Sequence, residues 1–375
     1  MKPINIQLSP KLFNTVYLPF LSDYSHRYNI YYGGRASGKS YFIADKLIIN
    51  ILDRLIYLLY QDSVILGNRP FFWCDLPVPV NYPQQSQTHP SILYLKQGWN
   101  GATHWLGTTP YPKAQVKYEN PCIYYADVRN DSIPTQFVPI KNNPILEWPG
   151  GDCFNSDIEL YFEDNVLYSI IREYDNKALS KKLKVQYSAD GQSWSTPRLF
   201  FETRDPKQEL LSPSIIRYNG KLRLYCLNGD AGISKRGHCT GIHILEGDDL
   251  KQSVFKEVAI GSFLNKDEVR IEPWHCCLFE YRQKLYMLFC GRDHKQKTFR
   301  SPMETYLAVS EDYQNFSIYK KPIVAHIKTY RPSAYIDGDR LHLYFSVVGY
   351  VDNSHEDRRI GYTCLNMREL LQTLQ

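Results

Sequence analysis

A glycine-rich loop near the N-terminus has the residue types that bind nucleotide phosphates. Four residues separate its two key glycines, and the pattern consists of Gly33, Gly38, Lys39 and Ser40. In such loops the backbone N–H groups surround the phosphates, the lysine reaches the outer phosphate oxygens, and the serine hydroxyl holds Mg²⁺. The motif therefore predicts a site for ATP and Mg²⁺.

The loop lies between a β-prone segment, 27–32, and a segment of helix formers, 41–59, as this motif requires. Residues 5–54 resemble the N-terminus of phage terminase large subunits, the DNA-packaging ATPases, and this resemblance implies DNA as a partner. The resemblance ends there, because the sequence does not continue with alternating strands and helices or an apolar strand ending in Asp-Glu. We therefore expect residues 1–60 to form a short α/β P-loop segment that is incomplete as an ATPase fold.

Downstream, a repeated segment has a polar start, usually with proline, followed by an apolar strand and a second strand rich in tyrosine. The five copies begin at His89, Ser156, Ser212, Glu272 and Arg331. Their spacing of 56 to 67 residues fits four-stranded propeller blades with long loops. The sequence thus predicts a mainly all-β fold, with a five-bladed β-propeller over residues 61–375.

Turn signals support this division into hairpins. Asn219-Gly220 and Asp337-Gly338 have the residue types of tight hairpin turns. The last copy has only 44 residues after its first residue, enough for three strands. We therefore expect residues 61–88, around Val64 to Leu76, to supply the strand that closes the propeller.

A second repeated signature is the Asp-box, which combines Ser, Asp and an aromatic residue around a tight turn. One copy spans residues 188–194, a second spans 310–316 with Phe in place of Trp, and a degenerate third spans 247–255. The Asp side chain of such a turn accepts backbone N–H groups, and the aromatic ring packs between blades. We interpret these boxes as structural.

The repeats resemble five-bladed glycoside hydrolases of families 43 and 32, and also propeller proteins of phage tail regions. In these enzymes the first residues of each innermost strand point into an axial funnel. The resemblance assigns this position to His89, Asp157, Ser212, Glu272 and Arg331, with His275 close by. Glycoside cleavage needs a protonated and an ionised carboxyl about 5–10 Å apart, so Asp157 and Glu272 are the candidate catalytic pair. His89 stands where these enzymes have an aspartate.

The first blade contains further candidates for binding a sugar. Trp105 and Tyr111 have rings that stack on sugar faces, and Glu119 is a candidate to bind hydroxyls. Packing between strands is the alternative for each ring. His89, His275 and Arg331 complete the predicted substrate-binding residues. A single histidine beside Glu272 does not form a metal-ligand pattern, so we expect no metal or other cofactor in the propeller.

Composition limits the cellular setting. The chain has 30 tyrosines and six tryptophans, and such richness favours strands and also suits sugar-binding surfaces. The net charge of +5 says little about nucleic acid. Nine scattered cysteines without a CxxC motif suggest reduced thiols. The absence of a long apolar run and of a signal-peptide pattern predicts a cytoplasmic protein of the host, or a virion-associated one, without a membrane partner.

Three functions follow from these patterns. The first is a phage or prophage protein whose propeller recognises a glycan or polysaccharide and, as an enzyme, hydrolyses it. The second is an ATP-binding, DNA-packaging protein that uses Gly33 to Ser40. The third is a non-catalytic propeller that binds other virion proteins.

Overall fold

The fold is known from a computed structural model, which describes residues 65–67, 69–128, 134–206, 208–229, 239–293, 303–350 and 356–375. The predicted P-loop segment, with Gly33, Gly38, Lys39 and Ser40, lies outside these residues. Within them, twenty strands form five four-stranded antiparallel sheets. The predicted five-bladed β-propeller is therefore confirmed.

The strands follow the chain order, blade by blade, except for the first. That strand, β1 (Phe72–Trp73), belongs to the last blade. Blade 1 contains β2 (Gln87–Trp99), β3 (Ala102–Pro110), β4 (Cys122–Ala126) and β5 (Val138–Pro139). Blade 2 contains β6 (Cys153–Glu163), β7 (Val166–Asp175), β8 (Ser180–Ser188) and β9 (Arg198–Thr203).

The remaining blades repeat this arrangement. Blade 3 contains β10 (Leu211–Tyr218), β11 (Lys221–Gly229), β12 (Cys239–Gly247) and β13 (Lys256–Gly261). Blade 4 contains β14 (Ile271–Tyr281), β15 (Lys284–Asp293), β16 (Glu304–Ser310) and β17 (Ser317–Ile318). Blade 5 contains β18 (Thr329–Asp337), β19 (Arg340–Tyr350), β20 (Glu356–Asn366) and β1. Two α-helices are described, α1 (Lys266–Val269) and α2 (Met367–Leu374).

The short strand β1 completes the ring. Phe72 lies opposite Tyr362 of β20, and Trp73 lies opposite Gly361. This strand falls within the segment from which the sequence predicted a closing strand. Each innermost strand packs beside that of the next blade, and β18 packs beside β2. The five blades therefore enclose one axis.

Apolar clusters between neighbouring blades hold the ring together, and the Asp-boxes contribute to them. Asp190 accepts the backbone N–H groups of Gln192 and Ser193 at 2.8 and 2.7 Å. A Cβ atom on Gly191 of the same turn would lie 2.1 Å from the ring of Trp105 in blade 1. The close contact requires glycine at this position, so the box locks blade 2 against blade 1.

Every innermost strand carries a β-bulge near its start, as the register shifts in all five blades show. The bulged residues include His89, Asp157 and Ser212, whose φ angles are 52°, 49° and 48°. A bulge leaves a residue unpaired and turns its side chain away from the regular alternation of the strand. The repeated bulge thus brings one side chain from the same position of several blades to the axis.

Two further features concern the cysteines and the helices. The nine cysteines are free thiols, as their spacing indicated. Among the residues that the structure describes, no helix is long and apolar enough to cross a membrane.

Candidate functional site

A cavity of about 330 Å³ lies where the innermost strands of the propeller begin. All five blades contribute side chains to its wall. The lining residues are His89, Tyr111, Val116, Glu119, Phe154, Ser156, Arg172, Tyr174, Asn176, Glu209, Leu211, Trp274, His275, Tyr330 and Arg358. The wall is therefore rich in aromatic rings and contains acidic and basic groups side by side.

Three buried side chains converge at the base of this wall. His89, Asp157 and His275 place a ring nitrogen or carboxylate oxygen within 4.8 Å of one another. Asp157 Oδ1 lies 3.7 Å from His89 Nε2 and 3.3 Å from His275 Nδ1. Two imidazoles and one carboxylate at these separations form a set of candidate ligands for a transition-metal ion.

Hydroxyl groups fix the orientation of both imidazoles. His89 Nδ1 is 2.7 Å from Thr109 Oγ1, and His275 Nδ1 is 2.5 Å from Ser212 Oγ. The Nε2 atoms of both histidines are buried and have no hydrogen-bond partner in the described structure. A buried polar atom without a partner is costly, so these two nitrogens point to a missing ligand.

The protonation states suit metal binding. Burial lowers the pKa of His89 to about 3 and that of His275 to about 4, so both imidazoles are neutral near pH 7. Burial acts to raise the pKa of Asp157, but the two imidazoles and Arg172 together hold it well below its usual range. Neutral imidazoles and an ionised carboxylate are the forms that bind metal ions.

A second carboxyl group adjoins this cluster. Glu119 Oε1 accepts a hydrogen bond from Ser156 Oγ at 2.8 Å and lies 3.2 Å from His89 Nδ1. Burial and the charge of Asp157 raise the pKa of Glu119 to about 8. The two carboxyl groups therefore differ in their affinity for a proton, which is the usual division between a proton carrier and a permanently ionised group.

Arginines and aromatic rings form the side walls. Arg358 lies over the rings of Tyr111 and Tyr330, with its Cζ atom 4.7 and 5.0 Å from their centroids. On blade 2, Arg172 Nη1 lies 3.5 Å from Asp157 Oδ2, and Arg172 Nε donates to the backbone oxygen of Glu209 at 3.0 Å. Cation–π contacts and ion pairs thus hold both guanidinium groups in place.

Four of the predicted site residues, Asp157, Glu272, Trp105 and Arg331, are not among the cavity-lining residues. Glu272 accepts the backbone N–H of Cys239 at 2.9 Å and lies 3.3 Å from Lys266 Nζ. It is not one of the cavity-lining residues, whereas Asp157 contacts the two histidines that are. Asp157 is therefore part of the histidine cluster, whereas the described contacts of Glu272 are with Lys266 and Cys239.

Arg331 and Trp105 have structural surroundings. Arg331 is 0% exposed, and its Nη2 atom donates to Glu159 Oε2 at 2.9 Å and to the backbone oxygen of Pro213 at 3.1 Å. This guanidinium ties blade 5 to blades 2 and 3 across the axis. Trp105 is 1% exposed and packs against Gly191, so it offers no surface on which a sugar could stack.

Sequence reasoning placed His89 and His275 at the funnel and named Tyr111 and Glu119 as sugar-binding candidates, and all four line the cavity. It missed Arg172, Tyr330 and Arg358. Arg172 lies in blade 2, Tyr330 and Arg358 lie in two strands of blade 5, and none of the three belongs to a local motif. Tyr330 immediately precedes the predicted blade start at Arg331, and this position was the one signal in the sequence that could have found it.

No protein-family model matches the chain. Its sequence is 24% identical over 228 residues to the A type blood N-acetyl-alpha-D-galactosamine deacetylase of Flavonifractor plautii. The match covers 50% of this chain and only 28% of the length of that relative.

Solved structures share the fold. The N-acetylgalactosamine deacetylase from F. plautii, in complex with blood group B trisaccharide, has a TM-score of 0.70 at 17% identity, covering 82% of this chain and 97% of that one. A family-43 β-xylosidase/α-arabinofuranosidase from a compost microbial metagenome, in complex with xylotriose, has a TM-score of 0.51 at 12% identity. That match covers 76% of this chain and 92% of the other. At these identities the likeness shows the fold alone, a five-bladed β-propeller.

Proposed function

We propose that this chain is a metal-dependent hydrolase that removes the acetyl group from an N-acetylated sugar of a glycan. The observation that carries the proposal is the cluster of His89, Asp157 and His275, in which both buried Nε2 atoms lack a hydrogen-bond partner in the described structure. The cluster lies at a cavity of about 330 Å³, which is large enough for a sugar ring with its substituent.

The residues present fit a divalent cation. His89 and His275 would bind it through Nε2, which has no hydrogen-bond partner in either ring in the described structure. Asp157, whose Oδ1 lies 3.7 Å from His89 Nε2 and 3.3 Å from His275 Nδ1, would supply a carboxylate oxygen. Two imidazoles and one carboxylate leave positions open for water and substrate, as in catalytic rather than structural sites. A cation held there supplies Lewis-acid chemistry, which polarises an acyl oxygen and makes water more acidic.

The other residues of the cavity have separate tasks in this reaction. Hydrolysis of the amide consumes one water, breaks the C–N bond, and yields acetate and the free amine of the sugar. Glu119, beside His89, is placed to take a proton from the water when it is ionised and to pass that proton to the departing nitrogen. Tyr111, Tyr330 and Trp274 provide aromatic faces against which a sugar ring packs.

The choice of an amide rather than a glycosidic bond rests on two observations. The curated relative and the solved structure with a TM-score of 0.70 are both deacetylases of N-acetylgalactosamine. In addition, Glu272, the acid that the sequence paired with Asp157, contacts Lys266 and the backbone of Cys239, whereas Asp157 contacts the two histidines of the cavity wall. A catalytic pair of carboxyls for glycoside cleavage is therefore less well supported than a metal-assisted reaction.

The test measures both possible products from glycans that contain N-acetylgalactosamine or N-acetylglucosamine. We expect the metal-loaded protein to release acetate, and we expect His275→Ala to reduce the rate by about 100-fold or more because a ligand is lost. His326→Ala, which changes an exposed histidine, serves as the matched control and should leave the rate unchanged. Release of reducing sugar without acetate would show a glycoside hydrolase instead, and release of neither product would refute the proposal.

A further inference from the structure

The first two strands of blade 2 present an ordered row of side chains to the cavity. Ser156 of β6 lies opposite Arg172 of β7, and Phe154 lies opposite Tyr174. All four side chains line the cavity. Because alternate residues of a strand point to the same face of the sheet, these cross-strand pairs form two consecutive rungs on one face. Ser156 and Arg172 are the inner rung, and Phe154 and Tyr174 are the outer rung.

The two rungs differ in chemistry. The inner rung is polar and lies at the candidate centre, where Ser156 donates to Glu119 at 2.8 Å and Arg172 lies 3.5 Å from Asp157. The outer rung is aromatic and lies roughly 7 Å further along the strands, since a strand rises about 3.3 Å per residue. A ligand that contacts both rungs therefore extends away from the centre along blade 2.

The outer rung is separate from the aromatic ring that adjoins the cluster. Tyr330 packs on the two histidines, with its ring centroid 4.3 Å from that of His275 and 5.3 Å from that of His89. Phe154 and Tyr174 instead contact each other, with their centroids 5.4 Å apart. The cavity therefore offers aromatic faces at two places, one at the cluster and one further out.

We infer that the outer rung binds a second sugar, so that the substrate is an oligosaccharide rather than a free N-acetylated monosaccharide. This inference rests on the proposed function, because it assigns a substrate class to the same cavity. It concerns a sugar that takes no part in the hydrolysis of the acetyl group.

The chemistry of the row suits a pyranose ring. Phe154 and Tyr174 are partly buried, and the next cavity-lining residue of the row, Asn176, is exposed. The apolar faces of a sugar pack on aromatic rings, and an amide offers both donors and an acceptor to hydroxyl groups. Arg172 Cζ and Lys181 Nζ lie 5.7 and 5.6 Å from the centroid of the Tyr174 ring and fix its position. Little conformational entropy is therefore lost when a sugar packs against it.

A cross-strand pair of aromatic rings also stabilises a sheet without any ligand, and a packing role makes a different prediction. Loss of a packing ring lowers the melting temperature but does not change the preference between a short and a long substrate. The experiment therefore measures a ratio between two substrates that differ by one sugar.

The substrates are the methyl glycosides of N-acetylgalactosamine and N-acetylglucosamine, and the disaccharides in which each of these sugars is linked to galactose. We expect kcat/KM of the wild-type protein to be about 10- to 100-fold higher for at least one disaccharide than for its methyl glycoside, as packing of one more ring gives. Equal kcat/KM values within every pair would overturn the inference and leave the proposed function intact.

Variants assign the preference to the outer rung. Phe154→Leu and Tyr174→Leu keep an apolar side chain but remove the flat ring, and each should reduce the disaccharide-to-monosaccharide ratio about 10-fold. Tyr174→Phe keeps the ring and should preserve the ratio. The matched control is Tyr187→Leu, since Tyr187 belongs to another cross-strand aromatic pair of blade 2, with Tyr168, and does not line the cavity. An unchanged ratio in both leucine variants of the outer rung would overturn the inference.

A failure of the proposed function has a different signature. If no substrate releases acetate, calorimetric binding of the same methyl glycosides and disaccharides to the full-length protein decides the inference by itself. A disaccharide that binds at least about 10-fold more tightly than its methyl glycoside, with the difference lost in Phe154→Leu, supports it. Binding of no disaccharide, or an equal affinity for both members of every pair, overturns it.

Discussion

At the scale of single residues, the candidate centre depends on neighbours that never touch the substrate. Ser212 and Thr109 fix the ring orientation of His275 and His89 by contacting Nδ1. Such partners leave Nε2 as the free ligand atom and set the tautomer of each ring. The two hydroxyls therefore have a positioning role that is separate from catalysis.

Loss of one such hydroxyl should weaken metal binding without unfolding the protein. We expect Ser212→Ala to reduce the affinity for Mn²⁺ or Zn²⁺ by about 10- to 100-fold, measured by calorimetric titration of the metal-free protein. Ser214→Ala is the matched control, because Ser214 lies on the same strand and donates to Glu159 rather than to a histidine. Equal affinities in the two variants would show that Ser212 has no role in orienting the ligand.

The sequence did not distinguish aromatic residues that bind a sugar from those that pack between blades. Trp105 and Tyr111 lie six residues apart in one aromatic-rich segment, and both are compatible with packing and with sugar binding. The structure buries Trp105 between blades and places Tyr111 on the cavity wall. Sequence pattern identifies the ring, but the contact that each ring makes depends on the neighbouring blade.

At the scale of elements, the hairpin turns and the Asp-boxes were predictable because each depends on residues only a few positions apart. The Asn219-Gly220 turn has φ angles of 48° and 78°, as a tight hairpin requires. Asp190 and Asp312 accept backbone N–H groups within their own boxes, as predicted. The bulges were not predicted, because a register shift depends on the pairing of two strands and leaves only a weak trace, such as the proline after His89.

The Asp-box of blade 2 should make stability depend on pH. Hydrogen bonds from the backbone N–H groups of Ser193 and Gln192 lower the pKa of Asp190 to about 2. A group with a depressed folded-state pKa stabilises the fold above its unfolded pKa, and this stabilisation is lost as the pH falls through the folded value. We therefore expect Asp190→Ala to lower Tm by about 2 to 4 °C near pH 7 and to have little effect near pH 2.

The effect is measured by thermal unfolding of the wild-type protein, Asp190→Ala and a control variant between about pH 2 and pH 7. Asp152→Ala, at an exposed aspartate outside the box, is the matched control and should show no such trend. A difference between wild type and Asp190→Ala that stays constant down to about pH 2 would contradict the assigned role of the carboxylate.

At the scale of the whole molecule, the spacing of the repeats was sufficient to predict five blades. It was not sufficient to predict the site, because the cavity draws Arg172 from blade 2 and Tyr330 and Arg358 from blade 5. Residues that are far apart in sequence meet only once the ring is closed. The nucleotide-binding role of Gly33 to Ser40 stays a prediction, since that segment lies outside the described residues.

Closure of the ring gives a prediction of its own. Residues 61–80 contain β1, which pairs with β20, and the buried side chains of Phe71 and Leu76, which are 3% and 5% exposed. Their removal would expose a strand edge and apolar surface, both of which promote aggregation. We expect deletion of residues 61–80 to leave the chain in the insoluble fraction, and a soluble variant with the melting temperature of the wild type would contradict this.

The central claim is that His89, Asp157 and His275 bind a catalytic metal ion at the axis of the propeller. The most direct test is elemental analysis and calorimetric titration of the full-length protein after dialysis against a chelator. We expect about one divalent ion to bind per chain, and we expect binding to be lost in His89→Ala and His275→Ala and retained in His326→Ala. A wild-type protein that binds no divalent ion, or the same stoichiometry and affinity in all of these variants, would contradict it.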